Sequence, residues 1–185
     1  VPGQAGPVAF SGPVTILVCR GNVGVLDLSE LVKTAAGEGR GSTASAEAVT
    51  AVVIRDAEEA LEGANAAPLS GHVVFLLYLN DKTFLDAGGA VARLVQAAMD
   101  RKAAMDREGD RRITIAMVHE QEPSCGGVPF RNFFQQTPQE LIDGKLYNTV
   151  AVPLYPAPAH RKVSLRLILT SMGAVPCDAG PLRRR

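Results

Sequence analysis

The 185-residue sequence has no tryptophan, and only 5% of it is aromatic. Bases stack on aromatic platforms, so this scarcity argues against a nucleic-acid partner. Neither sign of charge is in excess, because nineteen Lys and Arg balance nineteen Asp and Glu. Such a balance attracts neither nucleic acid nor an anionic membrane. Cysteine is scarce and odd in number, at Cys19, Cys125 and Cys177. Three thiols cannot build an even disulfide framework, which points to a reducing, cytoplasmic setting, with an organelle left open. No apolar run approaches the ~20 residues that a membrane-crossing helix needs, so direct membrane insertion is not expected. The opening Val1-Pro2-Gly3-Gln4 lacks an initiator Met and a charged-then-apolar targeting pattern, which suggests a processed chain or a piece of a larger protein.

What is present is enough for a core. The chain is 46% hydrophobic and 21% charged, the balance of one globular domain. Residues 1–12 are rich in Gly, Pro and Ser and read as an irregular lead-in; residues 175–185 read as an irregular tail. Between them, residues 13–174 form a single domain. Residues 37–48 carry no apolar period and read as a mobile insertion.

Five short runs are apolar throughout: Val14–Cys19, Val49–Ile54, His72–Leu79, Ile113–Val118 and Thr149–Tyr155. Strands covered on both faces have this character, as in a parallel sheet between two helical layers. Helical spacing fills the gaps. Leu26, Leu28, Leu31 and Val32 suggest a helix opened by Asp27 or Ser29, and Asp56–Gly63 a short one. Ala90, Leu94, Ala97, Ala98 and Met105 stripe a third, while Val163, Leu167 and Ile168 stripe the last, which Gly173 stops. The expected fold is α/β and doubly wound, a mainly parallel five-stranded flavodoxin-like sheet in the order 2-1-3-4-5.

Three motifs invite chemistry. Gly37-Glu-Gly-Arg-Gly-Ser-Thr43 follows a helix rather than a strand and lacks Gly-Lys-Ser/Thr, so it reads as linker instead of phosphate loop. His72, His119 and His160 have no partners at ligand spacing, so no metal is expected, and nothing calls for a cofactor. His119-Glu120 with Cys125 leaves a strand's carboxyl end, where α/β folds place ligands, yet Pro123 and the Gly126-Gly127 pair explain a plain turn.

Several segments together resemble the later two-thirds of a Toll/interleukin receptor (TIR) domain. Ser70-Gly-His-Val-Val-Phe-Leu-Leu-Tyr-Leu-Asn80, with Phe84 beyond it, is similar to that family's central strand. Ile113–Glu120, Phe130-Arg-Asn-Phe-Phe134, Thr137-Pro-Gln-Glu-Leu141 and Leu146–Tyr155 running into His160–Leu167 resemble the family's later strands, connections and last helix. The likeness covers a little over half the chain. Enzymatic members carry Trp-Cys-x-x-Glu after the central strand, and the glutamate serves NAD cleavage. Here the matching segment is Phe84–Ala92, the glutamate position falls on or near Val91, and Asp86 is the nearest carboxylate at the wrong offset. Members without the glutamate dock with other proteins, often with like domains. The resemblance therefore implies a non-catalytic interaction or assembly module with no catalytic residues.

Each functional class selects its own residues. As an interaction module, the chain would use the Phe-rich segment with Phe130, Phe133 and Phe134 and the Pro-stiffened one with Pro153, Tyr155 and Pro156. As a nucleotide-binding or NAD-cleaving enzyme on the same fold, it would use Arg20, Asn22, Arg55, Asp56, Asn80, Asp81, His119 and Glu120 at the strand carboxyl ends.

Overall fold

The computed structural model of the chain describes residues 7–38, 51–63, 69, 71–86, 88–109 and 113–177. Most of the expected 37–48 insertion therefore lies outside the described residues, and α1 (Val25–Glu38) runs into its start. The apolar runs become the parallel strands β2 (Val14–Val18), β3 (Val52–Asp56), β4 (His72–Leu79), β5 (Ile113–Glu120) and β6 (Val152–Leu154). They hydrogen-bond in the order β3-β2-β4-β5-β6, with every neighbouring pair parallel. β4 is central and buried from Val73 to Leu79, as an uninterrupted apolar run requires.

Helices cover both faces. α1 and α6 (Pro158–Ser171) pack together on one, and α2 (Ala57–Glu62) and α3 (Ala90–Arg107) on the other. Each layer closes its own core: Ile16, Val74, Leu76 and Val118 face α1 and α6, while Leu17, Phe75, Leu77 and Met117 face α3. Short helices α4 (Arg131–Gln136) and α5 (Gln139–Asp143) connect β5 to β6.

Numbered along the whole chain, the sheet order differs in detail from the expected one because an additional strand precedes it. β1 (Val8–Ala9) pairs antiparallel with β7 (Val175–Pro176), so lead-in and tail are joined in a ribbon instead of being irregular. Val8 and Phe10 are buried beneath it, which supplies the reason. α1 begins at Val25, after Gly24 in the left-handed region, and not at Asp27 or Ser29. In α6 the buried residues are Ser164, Ile168 and Leu169, whereas Val163 and Leu167 of the expected stripe are 57% and 49% exposed. A helix stripe shows that an apolar face exists, and packing decides whether a neighbour covers it.

Candidate functional site

At the carboxyl end of the sheet, between α1 and α6, lies a cleft of about 650 Å³. In an open α/β sheet, ligands are placed at this end. Its floor is Tyr78, at the end of β4, and Glu120, at the end of β5. Tyr78 and Glu120 are 7% and 4% exposed, and the Tyr78 hydroxyl donates to Glu120 Oε2. Glu120 Oε1 accepts from the backbone N–H groups of Gln121 (2.8 Å) and Glu122 (2.6 Å). A buried carboxylate needs such partners, since an unpaired one would cost several kcal/mol. Burial, and then the Glu120 carboxylate, push the Tyr78 phenol above its usual range. It therefore stays protonated and donating.

The walls are built by loop chemistry. Asn22, 1% exposed, clamps the Tyr78 backbone, donating to its carbonyl and accepting from its N–H, both at 2.8 Å. Asn80 accepts from Lys82 N–H at 2.9 Å and donates to the Val23 carbonyl at 2.8 Å, so it folds one loop and ties it to another. The remaining lining includes Asp27, Lys82, Glu122, Cys125 and Arg161. Gly24 sits at φ +81°, and a Cβ there would lie 2.8 Å from the ring of Tyr78. Gly24→Ala is expected to cost about 1–2 kcal/mol in a urea unfolding titration, from backbone strain and displacement of that ring. An unchanged midpoint would show that neither the left-handed backbone nor the Tyr78 ring resists the added methyl.

The residues expected at the strand ends divide into separate groups. Asn80, Asp81 and Glu120 line the cleft, and Asn22 backs it. Arg20 donates instead to Asp56 at 2.7 Å, and Asp56 also caps α2 by accepting from Glu58 and Glu59. Arg55 lies within edge strand β3 and does not line the cleft. His119 points to the opposite face, where Nε2 donates to the Val128 carbonyl at 2.8 Å and the ring meets Phe130 and Phe133 edge-on. Its imidazole is thus committed away from Cys125, which lines the cleft, so the two do not form a nucleophile–base pair. Among the described residues no group of three or more His, Cys, Asp and Glu is placed to hold a metal ion.

Sequence reasoning missed Tyr78, Asp27 and Arg161. Tyr78 had a signal: one hydroxyl inside a run of buried aliphatic residues must find a partner. Arg161 had none, since only the packing of α6 against α1 brings it to the cleft.

The expected partner residues also separate. Phe133 is fully buried, whereas Phe134 is 46% exposed and Phe130 half-buried. Phe133 is therefore no anchor, because α4 turns it into the core beside Met117. Phe130, Phe134 and Tyr147 stack edge-on or tilted, with centroids 4.9–5.7 Å apart. Burial raises the Tyr147 phenol above its usual range. Pro153 and Tyr155 border a separate shallow hollow of about 420 Å³ with His160, Val163 and Leu167. Pro156 is exposed nearby.

In the segment Phe84–Ala92, Leu85 is 63% exposed and Asp86 is half-buried. Val91 is fully buried in the α3 core. Asp86 Oδ2 accepts from the Val91 N–H at 3.1 Å, and Asp86 Oδ1 is buried with no hydrogen-bond partner among the described residues. No family model matches the sequence, and no curated protein and no solved structure matches it either. Among the described residues no helix is long and apolar enough to cross a membrane.

Proposed function

We propose that the chain is a non-catalytic, TIR-like docking module that works in the cytoplasm within a larger protein or complex. The observation that carries this reading is the apolar surface at the β6 edge. Tyr155, Val163 and Leu167 are 43%, 57% and 49% exposed and border one hollow. Clustered aromatic and aliphatic side chains in water favour a partner that would cover them. Pro153 lies in the edge strand itself and removes a ladder donor, so docking through side chains is favoured over strand addition. The buried Val91, standing at or near the glutamate position, supports the non-catalytic half of the reading.

A second reading, a nucleotide site, draws on the cleft at the strand ends. There Asp27, Asp81, Glu120 and Glu122 outnumber Lys82 and Arg161, a lining that suits a polyphosphate poorly.

Two measurements test the proposal. A photo-crosslinker at Leu167 is expected to trap discrete protein adducts in cells that make the protein, while the same group at Val150, 84% exposed and outside the hollow, traps none. Equal trapping at both positions would overturn the docking reading. Incubation of the purified chain with NAD is expected to leave the dinucleotide intact over hours. Nicotinamide release that disappears in Asp86→Asn would restore the enzymatic reading.

A further inference from the structure

β2 and β4 are neighbours in the sheet, yet β2 leads into α1 on one face and β4 leads to α3 on the other. Their connections therefore part, and the crevice so formed is where open α/β sheets hold ligands. Val23 and Gly24 follow β2, Asn80 and Asp81 follow β4, and all four line the cleft. Its volume of about 650 Å³ falls within the ~300–1,000 Å³ of small-molecule sites. The stretches that line it, residues 23–31, 78–82 and 120–126 with Leu154 and Arg161, are all described.

Six charged side chains border this space: Asp27, Asp81, Glu120 and Glu122 against Lys82 and Arg161. Among the described residues none of the six forms an ion pair. Elsewhere on the molecule Arg20 pairs with Asp56, and Arg93 with Glu58 and Glu62. Glu120 shows what the separation means. It is 4% exposed, and its three hydrogen-bond donors, the Tyr78 hydroxyl and two backbone N–H groups, are all uncharged. A nearly buried carboxylate thus borders the cleft without a cation, although buried charges are ordinarily paired or bound to a metal. Among the described residues no three such groups converge to hold a metal ion. The cation that matches this lining is therefore an extended organic one.

The remaining lining says what else that cation carries. α1 brings Leu28 and Leu31 to one wall beside Asp27, and Leu154 adds apolar surface at the end of β6. Arg161, half-buried on the α6 wall across from α1, presents the planar fork that receives a carboxylate. We propose that the cleft binds a free basic amino acid, an aliphatic chain with two cationic groups and one carboxylate. The cationic groups meet the carboxylates of the lining, the ligand carboxylate meets Arg161, and the aliphatic chain lies along the leucines. The signs agree, since four carboxylates and two cations complement a ligand with two positive groups and one negative. This cleft is separate from the Tyr155 hollow, so the proposal does not rest on the docking reading.

Isothermal titration calorimetry of the whole chain tests it, with L-arginine as the probe. Saturable binding with a Kd below ~1 mM is expected. Agmatine lacks the carboxylate, L-norvaline lacks the distal cation, and each should bind about tenfold more weakly or worse. Nα-acetyl-L-arginine, which stands for an arginine at the carboxyl end of a partner protein, should also bind at least about tenfold more weakly. L-glutamate should not bind. Arg161→Ala should lower arginine affinity to the level of agmatine without weakening agmatine, whereas Asp27→Asn should weaken both ligands. Should Arg161→Ala fail to fold by circular dichroism, Arg161→Gln makes the same comparison.

No saturable binding of arginine by the wild type overturns the proposal, while the Leu167 crosslink still decides the docking reading. Agmatine or Nα-acetyl-L-arginine binding as tightly as arginine overturns it too, as does a folded Arg161 variant that loses both ligands alike.

Discussion

Replacing Phe133 with alanine is expected to lower stability by about 3–5 kcal/mol, while Phe134→Ala costs less than about 1 kcal/mol. The two residues are sequence neighbours of one chemical type, and the ~100° rotation between successive residues of α4 separates their fates. Phe133 is fully buried against His119 and Phe130, with ring centroids 5.2 and 5.6 Å away, so truncation opens a cavity in a layer that cannot collapse. Phe134 is 46% exposed and loses mainly its contacts with Phe130 and Tyr147. For a chain of this size the first change corresponds to a fall in Tm of roughly 6–20 °C. Equal losses for the two variants would mean that the aromatic cluster acts as a unit and that no exposed ring is available to a partner.

Glu120→Ala is expected to cost about 2–4 kcal/mol, because it leaves the Tyr78 hydroxyl and the Glu122 N–H without their acceptor at a buried floor, while the Gln121 N–H keeps only its 3.2 Å bond to the Leu154 carbonyl. Tyr78→Phe should cost less, since Glu120 keeps both backbone donors. The pair also sets a pH signature. The folded-state pKa of Tyr78 lies above its ordinary value of 10.0, so its contribution is fully present below that value and is lost as the pH rises beyond it. Stability measured from pH 9 to 11 should therefore fall less steeply in Tyr78→Phe than in the wild type. Parallel slopes would remove the buried phenol from the account.

The architecture was legible because it depends on strand character alone. Runs such as Val73–Leu79 are too apolar to face water on either side, and helical spacing between such runs leaves little choice beyond a parallel sheet in two helical layers. The site was legible only in part. Asn80, Asp81 and Glu120 could be named because they terminate strands, but Tyr78 reaches Glu120 across 42 residues, and only the β4–β5 register brings the two together. Arg20 and Asp56 looked like ligand groups and instead satisfy each other. In α6 the apolar spacing did not distinguish Ile168, which is buried, from Leu167, which is half in water. The ribbon between β1 and β7 left no trace in composition, since two residues on each side are too short to carry a period.

That ribbon gives the molecule a mechanical character. Val8 lies opposite Pro176 and Ala9 opposite Val175, and the Cys177 N–H donates to the Pro7 carbonyl at 2.8 Å. Tension applied between residues 7 and 177 meets this ladder end-on, so its bonds part in succession instead of sharing the load. Each residue so freed supplies up to ~3.5 Å of slack before the parallel sheet is strained. Opening also draws the buried Val8 and Phe10 into water, which supplies a restoring force. The ribbon thus behaves as a weak spring in series with a stiff body: it yields first, re-forms when the tension falls, and protects the sheet and the cleft at its far end.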